Sequence, residues 1–401
     1  MPLCPCLDKE ATLTADFSYN DQPYWNESPH PFCPADGGYY YTDYTTHLIM
    51  FYDPTTQEYY PVCSNANCEH KDKTCNAWLG SGVLEDTSEE QYYQQFIYSH
   101  NGILYITKKE ADSEFDDLVS FNPQTGERKV CCRLGSASGS YQLTFHDNYV
   151  FFYNIGGSKN LKDNKITITK ASLDGKESEE IYSYQNEIAQ FASGKSYGDG
   201  YYFLIINRTA DNTTKKVTAS FNGLYKYSYA ERSVTQVSTE PICDYCISDD
   251  GKNLYYYVYD KGAFKQEIGS TESQQIFTSD SNSTFCQLNC DQNYLYVVNQ
   301  RMESISQERI PTLWVLDRSN GNTVTKVLAQ QSYFGDKDTL FILDIFDQSK
   351  AIAKTKLTTQ TDDDWTILGT TLRTDTLKQY YADYTIDGWK DGKNPNAKGN
   401  Q

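Results

Sequence analysis

The chain has 401 residues, and 54 acidic against 35 basic side chains leave a net charge of −19. Aromatic residues reach 14%, which excludes a disordered acidic chain, and the missing basic surplus excludes a general nucleic-acid binder. Tyr alone supplies 35 residues, a composition suited to strands whose faces pack on one another.

At the N-terminus, Met1 to Glu10 has neither a basic stretch nor an apolar one, so no complete signal peptide is legible. Twelve cysteines nevertheless fit an oxidising compartment better than a reducing one. The expectation is an extracytoplasmic chain, secreted or on the cell surface, whose export signal is not visible here. A lipid anchor would attach at Cys4 or Cys6, although no proper lipobox precedes either. Residues 1–28 are expected to be a flexible segment or the remnant of an export or anchor region. No stretch approaches the roughly 18 apolar residues that a membrane-spanning helix needs.

Self-similarity then organises the chain. A turn residue repeatedly opens a short aromatic strand, at Gly37, Asn101, Asp147, Asp199, Asp250 and Asp291, with a weaker seventh instance at Asp347. From Tyr39 through Ile103, Tyr149, Tyr201, Leu254 and Tyr294 to Ala351, the intervals are 64, 46, 52, 53, 40 and 57 residues. Each opening strand is followed by a second apolar strand, a turn such as Asp53-Pro54 or Asn122-Pro123, and a third strand. A further candidate strand, such as Tyr141 to Phe145, precedes each opening strand. Four strands per unit of this length make one blade of a β-propeller. The expected fold class is therefore all-β, a β-propeller of seven four-stranded blades. Six or eight blades stay open, because the first interval holds an insertion and the last unit is degenerate. A single propeller over residues 29–385 is expected, with a Cys-rich insert at 63–80 and a C-terminal tail at 386–401.

Within that insert, Cys63, Cys68, His70 and Cys75 form C-x4-C-x-H-x4-C. Three thiolates and an imidazole could close a tetrahedral structural zinc site. In an exported protein the same thiols favour disulfides, with Cys33 as the fourth partner, and the connectivity is not legible. A short, strand-poor insert needs a crosslink of one kind or the other. Further along, Cys243 and Cys246 form C-D-Y-C inside a predicted inner strand, without the helix N-terminus that a redox pair uses. Cys246 and Cys286 each stand eight residues before Leu254 and Tyr294, so neighbouring blades would bring these two together, as a bridge or as buried thiols.

Some blade motifs resemble known families. Ser248 to Tyr256 resembles the S-P-D-G-K-x-L-x-F blade signature of TolB-like propellers, with Asp249 in place of the usual Pro. Gly38 to Asp43 resembles the Y-W-T-D blades of low-density-lipoprotein-receptor-type propellers, and Ile168 to Lys176 is similar to the strand that follows that motif. Cys63 to Ala77 resembles an insert in uncharacterised, lipoprotein-like propellers of Gram-positive bacteria. These resemblances imply an exported recognition or scaffold propeller, with no chemistry assigned.

Catalytic signatures are sparse. Gly135 to Gly139 has Ala137 where a hydrolase elbow has its nucleophile, and no H-E-x-x-H, P-loop or dinucleotide fingerprint occurs. The five histidines, His30, His47, His70, His100 and His146, sit in no recognised constellation. Asp362, Asp363 and Asp364 form the densest acidic cluster, readable as a calcium loop or as a solvated hairpin tip. The expected function is a monomeric, non-catalytic scaffold that binds a protein, peptide or glycan. The alternative is a carbohydrate-active hydrolase or lyase with acidic residues at the central channel. An inward-facing cluster of Asp, Glu, His and Arg at one mouth would favour the enzyme.

Overall fold

Turn chemistry sets the strand boundaries. Between the strands Tyr98–His100 and Ile103–Lys109, the two-residue loop is Asn101-Gly102, both at positive φ (50° and 74°). That backbone twists with the strands it joins, and Asn and Gly are the residues that tolerate it. In the computed structural model the described residues are 20–22, 32–35, 38–43, 46–53, 56, 58–81, 90–93, 96–109, 115–136, 141–154, 165–185, 189–211, 216–258, 261–278, 283–290, 293–301, 312–328, 332–336, 339–344, 351–356 and 366–368. Asp362 to Asp364 and the segment 386–401 lie outside them.

Seven antiparallel sheets follow one another along the chain, and each runs in sequence order from its first to its fourth strand. Blade 1 comprises Phe32–Ala35, Gly38–Asp43, Leu48–Asp53 and Glu58–Pro61. Blade 2 opens with Gln91–Tyr92 and Tyr98–His100, which share one neighbour, and continues with Ile103–Lys109, Phe115–Phe121 and Arg128–Ser136. Blade 3 is Tyr141–His146, Tyr149–Asn154, Lys165–Ser172 and Ser178–Gln185. Blade 4 is Ala189–Tyr197, Gly200–Asp211, Lys216–Ser228 and Ser233–Ser238. Blade 5 is Ile242–Ile247, Asn253–Val258, Gly262–Glu267 and Ser273–Thr278. Blade 6 is Ser283–Cys290, Tyr294–Arg301, Thr312–Asp317 and Thr323–Leu328. Blade 7 is Ser332–Asp336, Thr339–Asp344, Ala351–Lys356 and Thr366–Leu368.

The expected seven-bladed propeller is the fold. Its last unit differs in phase from the sequence reading. Ala351 opens the third strand of blade 7, and the strand equivalent to the other six anchors is Thr339–Asp344. Counted to Leu340, the last interval is 46 residues, in line with the others. In the sequence, Leu340 follows Lys337-Asp338-Thr339 where the other six anchors directly follow a Gly or Asn, so the turn signal there is weak.

Neighbouring blades pack face to face, and the period of two along each strand supplies both faces. On the second strand of blade 4, Tyr201, Phe203 and Ile205 pack with Phe151, Tyr153 and Phe191 towards blade 3. Leu204 and Ile206 on the same strand pack with Tyr245, Tyr256 and Val258 towards blade 5. Tyr141, Tyr153, Tyr201, Tyr245, Tyr255, Tyr257 and Tyr296 are among the largest fully buried side chains. More than half of the tyrosines with described side chains are thus core, and burying such rings is the main favourable term for a sheet that meets its neighbours on both faces.

One element joins the propeller from outside the expected domain. Asn20–Asp21 pairs antiparallel with Tyr197 and Ser196 on the first strand of blade 4, giving that sheet a fifth strand. First strands line the central channel of a propeller, so residues 20–22 lie on the channel side. No helix among the described residues is long and apolar enough to cross a membrane.

Candidate metal centre and channel network

The outer strand of blade 1 is built in two pieces. Met50 to Asp53 pair with Glu58 to Pro61, and Val62 N donates to Ile49 O at 2.9 Å. The chain then leaves and comes back to the same edge. Ile49 N donates to Ala77 O at 2.9 Å, Trp78 bridges Leu48, and Leu79 N donates to His47 O at 2.8 Å. Buried Val62, Ala77 and Leu79 anchor the two feet of this excursion, which explains the long first repeat interval.

Local turns fold the excursion onto itself. Cys68 N donates to Asn65 O at 3.2 Å, Cys75 N to Asp72 O at 2.9 Å and Trp78 N to Cys75 O at 3.1 Å. His70 adopts a left-handed backbone, φ 57°, uncommon for a residue with a Cβ. There its amide donates to Cys68 Sγ at 3.4 Å, and its Nδ1 comes 3.3 Å from Cys75 Sγ. The ligand atoms of Cys63, Cys68, His70 and Cys75 all lie within 4.8 Å of one another. Zinc–sulfur bonds of about 2.3 Å give tetrahedral edges of about 3.8 Å, so the cluster is of a size to hold a metal ion. The sequence-identified quartet is therefore one place in space. Cys33 is buried on the first strand of blade 1 and is not one of the four converging groups.

The thiols of this cluster are not equivalent. Burial raises the Cys75 thiol to about 12, reinforced by the sulfurs of Cys68 and Cys63 and opposed by the Ala77 amide. Burial also raises the Cys63 thiol, but the amides of Asn65 and Asn76 and the two neighbouring thiols outweigh it and leave it below the ordinary value. Amide donors of this kind orient a sulfur and stabilise its thiolate form, as the hydrogen-bonding shell of a metal ligand does.

The excursion also leans on blade 2. Ser64 Oγ donates to Thr125 O at 3.0 Å and accepts from Asn76 Nδ2 at 2.7 Å. Arg128 donates to the carbonyls of Asn76 and Trp78, and its guanidinium sits 4.6 Å from the centre of the Tyr92 ring. Gly126, φ 73°, faces the Asn76 side chain, and a Cβ there would collide with it. Blade 1 and blade 2 are latched together through this loop.

A second polar cluster lies on the channel side of blades 4 to 6, and no sequence motif announces it. Register shifts interrupt the first strands between Ala192 and Lys195 and between Ile242 and Asp244. Such bulges re-aim side chains. Lys195 and Asp244 pair at 3.4 Å with 1% exposure each. Asp244 Oδ1 also accepts from Ser193 Oγ at 2.5 Å and from its neighbour Tyr245 N at 2.8 Å, and Oδ2 accepts from Leu288 N at 2.6 Å. Lys195 Nζ donates to the carbonyls of Tyr245 and Leu288. One ion pair thus ties three blades.

The N-terminal strand completes this side. Asp21 Oδ2 accepts from Phe145 N on blade 3 at 2.5 Å, while Gln22 exchanges two hydrogen bonds of 2.7 Å with Ile247 on blade 5. Burial raises the Asp21 carboxyl to about 7, against the opposing hydrogen bond from Phe145.

One further alignment escaped the sequence because its members come from two blades. His146 Nδ1 lies 3.4 Å from Ser196 Oγ, and His146 Nε2 lies 3.5 Å from Asp147 Oδ2. The order is that of a nucleophile, a base and an orienting acid. Ser196 is fully buried, however, and its hydroxyl shares a 2.6 Å hydrogen bond with Tyr229, whose ring stacks on His146 at 4.0 Å. A nucleophile needs space beside it for a substrate carbonyl, and here the space is filled. The group joins blades 3 and 4.

No protein-family profile matches the sequence, and neither does any curated protein. Among solved structures, prolyl oligopeptidase B from Galerina marginata is similar over 86% of this chain and 51% of its own, at 12% identity and a TM-score of 0.53. Oligogalacturonate lyase from Vibrio parahaemolyticus is similar over 83% and 90%, at 12% identity and a TM-score of 0.47. This chain spans 50% of a prolyl endopeptidase and 36% of the tricorn protease, two others it is similar to. At such identities the likeness shows the fold alone, and that fold is the β-propeller.

Proposed function

We propose that the protein is a non-catalytic, extracytoplasmic propeller that binds a protein, peptide or glycan, and that a structural zinc held by Cys63, Cys68, His70 and Cys75 staples its first two blades. The observation that carries the binding reading is the use made of the channel-side carboxylates. Asp244 is buried and spends both oxygens on donors from blades 4 to 6, while half-buried Asp21 accepts from Phe145 N of blade 3. A hydrolase or lyase needs such a carboxylate turned to its substrate. On the outside, Tyr40, Phe51 and Tyr60 form a row with ring centres 5.0 and 5.5 Å apart, ending in the exposed Tyr60. The rings are tilted against one another, by 61° and 39°, and the exposed Tyr60 at the end of the row is a ring on which a sugar or a peptide side chain could pack.

Convergence of an imidazole with three thiols supports zinc over disulfides, because pairing cysteines requires no histidine among them. Zinc here would carry no chemistry on a substrate. It would offset the mutual repulsion of three sulfurs and close the excursion. A glycan and peptide array, with Tyr60→Ala as the comparison and turnover assayed on every hit, tests the binding reading. Binding that the variant loses supports it, and turnover of a hit by the wild type overturns it. Metal analysis of the purified protein tests the staple: one zinc per chain is expected, and disulfides joining these cysteines would replace that reading.

A further inference from the structure

Four cysteines meet where blades 5 and 6 pack. Cys243 and Cys246 lie on the first strand of blade 5 and Cys286 and Cys290 on the first strand of blade 6. All four belong to one buried apolar cluster with Tyr255, Tyr257, Leu288 and Val297. On a regular strand, a spacing of three would send Cys243 and Cys246 to opposite faces. The register shift between Ile242 and Asp244 adds one residue and turns both thiols towards blade 6.

Within the cluster, burial raises the Cys246 thiol well above its ordinary value, and the neighbouring Cys290 thiol raises it further. Cys290 Sγ also lies 3.7 Å from the carbonyl of Ile247, the residue that follows Cys246. Counting back from the anchors brings Cys246 and Cys286 together as a bridge or as buried thiols, and both do lie in this buried cluster. The ladders correct that count: Cys246 stands opposite Tyr255 and Cys290 opposite Leu295, each one residue past its blade anchor. The hairpin after Cys246 is longer than the one after Cys290, so equal distance in sequence is not equal height in the sheet.

We propose that Cys246 and Cys290 join in a disulfide that ties the first strands of blades 5 and 6 as the chain folds in an oxidising medium. The oxidant is an external disulfide, either small-molecule or carried by an oxidoreductase. One cysteine thiolate attacks it, forming a mixed disulfide and releasing one thiol. The second cysteine thiolate then attacks the mixed disulfide, forming the protein bond and releasing the other thiol. Two electrons and two protons leave the cysteines, and the external disulfide becomes two thiols. Cys246 is fully buried and Cys290 nearly so, so no reagent reaches them in the folded ring. Exchange therefore precedes closure of the interface, and closure shields the bond from reductants. The proposed export reading supplies the oxidising setting, but the chemistry is tested without it.

The experiment is refolding of fully reduced, full-length protein with zinc present in a buffer of reduced and oxidised glutathione. Free thiols are then alkylated under denaturing conditions and the peptides mapped. The expected product is a linked pair of peptides joined through Cys246 and Cys290, two hydrogen masses lighter than the separate peptides. It should survive a native reductant wash and be missing from Cys290→Ser and Cys290→Ala. The oxidised protein should also unfold at a higher temperature than protein kept reduced, a difference both variants abolish. Alkylation of both residues in the refolded wild type overturns the proposal, as does a bond from Cys246 to Cys243 or Cys286. Because the wild-type map decides alone, a variant that fails to fold leaves the test intact.

Discussion

Two polar clusters hold this propeller, and they are built in opposite ways. The cysteine and histidine cluster of blade 1 draws its four groups from 13 consecutive residues, between Cys63 and Cys75. Local turns shape it, and it sits in an excursion outside the regular ladder. The Lys195–Asp244 cluster draws on residues from Ser193 to Leu288, carried by the first strands of three blades. A local cluster can come apart while the sheets stay folded. A cluster that links three sheets at the channel fails only when the ring itself loosens.

The strongest way to break this comparison is Asp244→Ala. It strands the Lys195 charge with 1% exposure and removes the acceptor from Leu288 N and Ser193 Oγ. A loss of about 3–5 kcal/mol is expected, read by urea unfolding. Asp244→Leu with Lys195→Met should recover most of it, since a well-packed apolar pair needs no charge partner. A loss below about 1 kcal/mol for Asp244→Ala would show that the channel cluster is not what binds the blades.

Next in size is the pH dependence of the N-terminal strand. The Asp21 carboxyl is raised from the ordinary 3.8 to about 7, so the docked strand holds its proton where the free strand has lost it. Docking is then strongest below about pH 4, weakens roughly tenfold per pH unit up to about pH 7, and is level above it. The hydroxyls of Tyr98, Tyr201 and Tyr229 are the titratable groups that feel this carboxyl, and burial keeps all three protonated across that range. Amide exchange at Ile247 should follow the curve, because its N–H is held by Gln22. Asp21→Asn should flatten it.

A chelator, or Cys75→Ser, should act on the other cluster and stay local. Proteolysis between residues 63 and 77 is expected to rise by roughly tenfold, with exchange at Leu79 faster and the core of blades 3 to 5 unchanged. If those blades loosen as well, the contrast between the clusters collapses. The smallest effect is expected from Gly126→Ala, at about 1 kcal/mol. It adds a Cβ at φ 73° that would lie within 2.8 Å of Asn76 Cβ and Cγ as well as its amide, so the Asn76 end of the excursion must shift.

Legibility differed along the same line. The strands and their turns could be read because Asp, Asn and Gly mark hairpins and aromatic runs mark strands within a few residues of each other. The same held for Cys63, Cys68, His70 and Cys75, whose spacing is short enough for local turns to close. Residues 20–22 offered no pattern, since two residues of strand make no period, yet they add a strand to blade 4. Lys195 and Asp244 looked like any other charged residues in a strongly acidic chain. The bulges that turn them inward leave no composition signal.

By itself, then, the sequence determined the repeat, the sheet order and the cysteine–histidine quartet, because each depends on contacts between near neighbours in the chain. The tertiary structure alone decided that Cys246 lies beside Cys290, that the N-terminal strand joins the channel side, and that Asp244 is buried there. Those outcomes depend on hairpin length and on extra residues within strands, which set the height and facing of each side chain. Distance along the chain does not measure either.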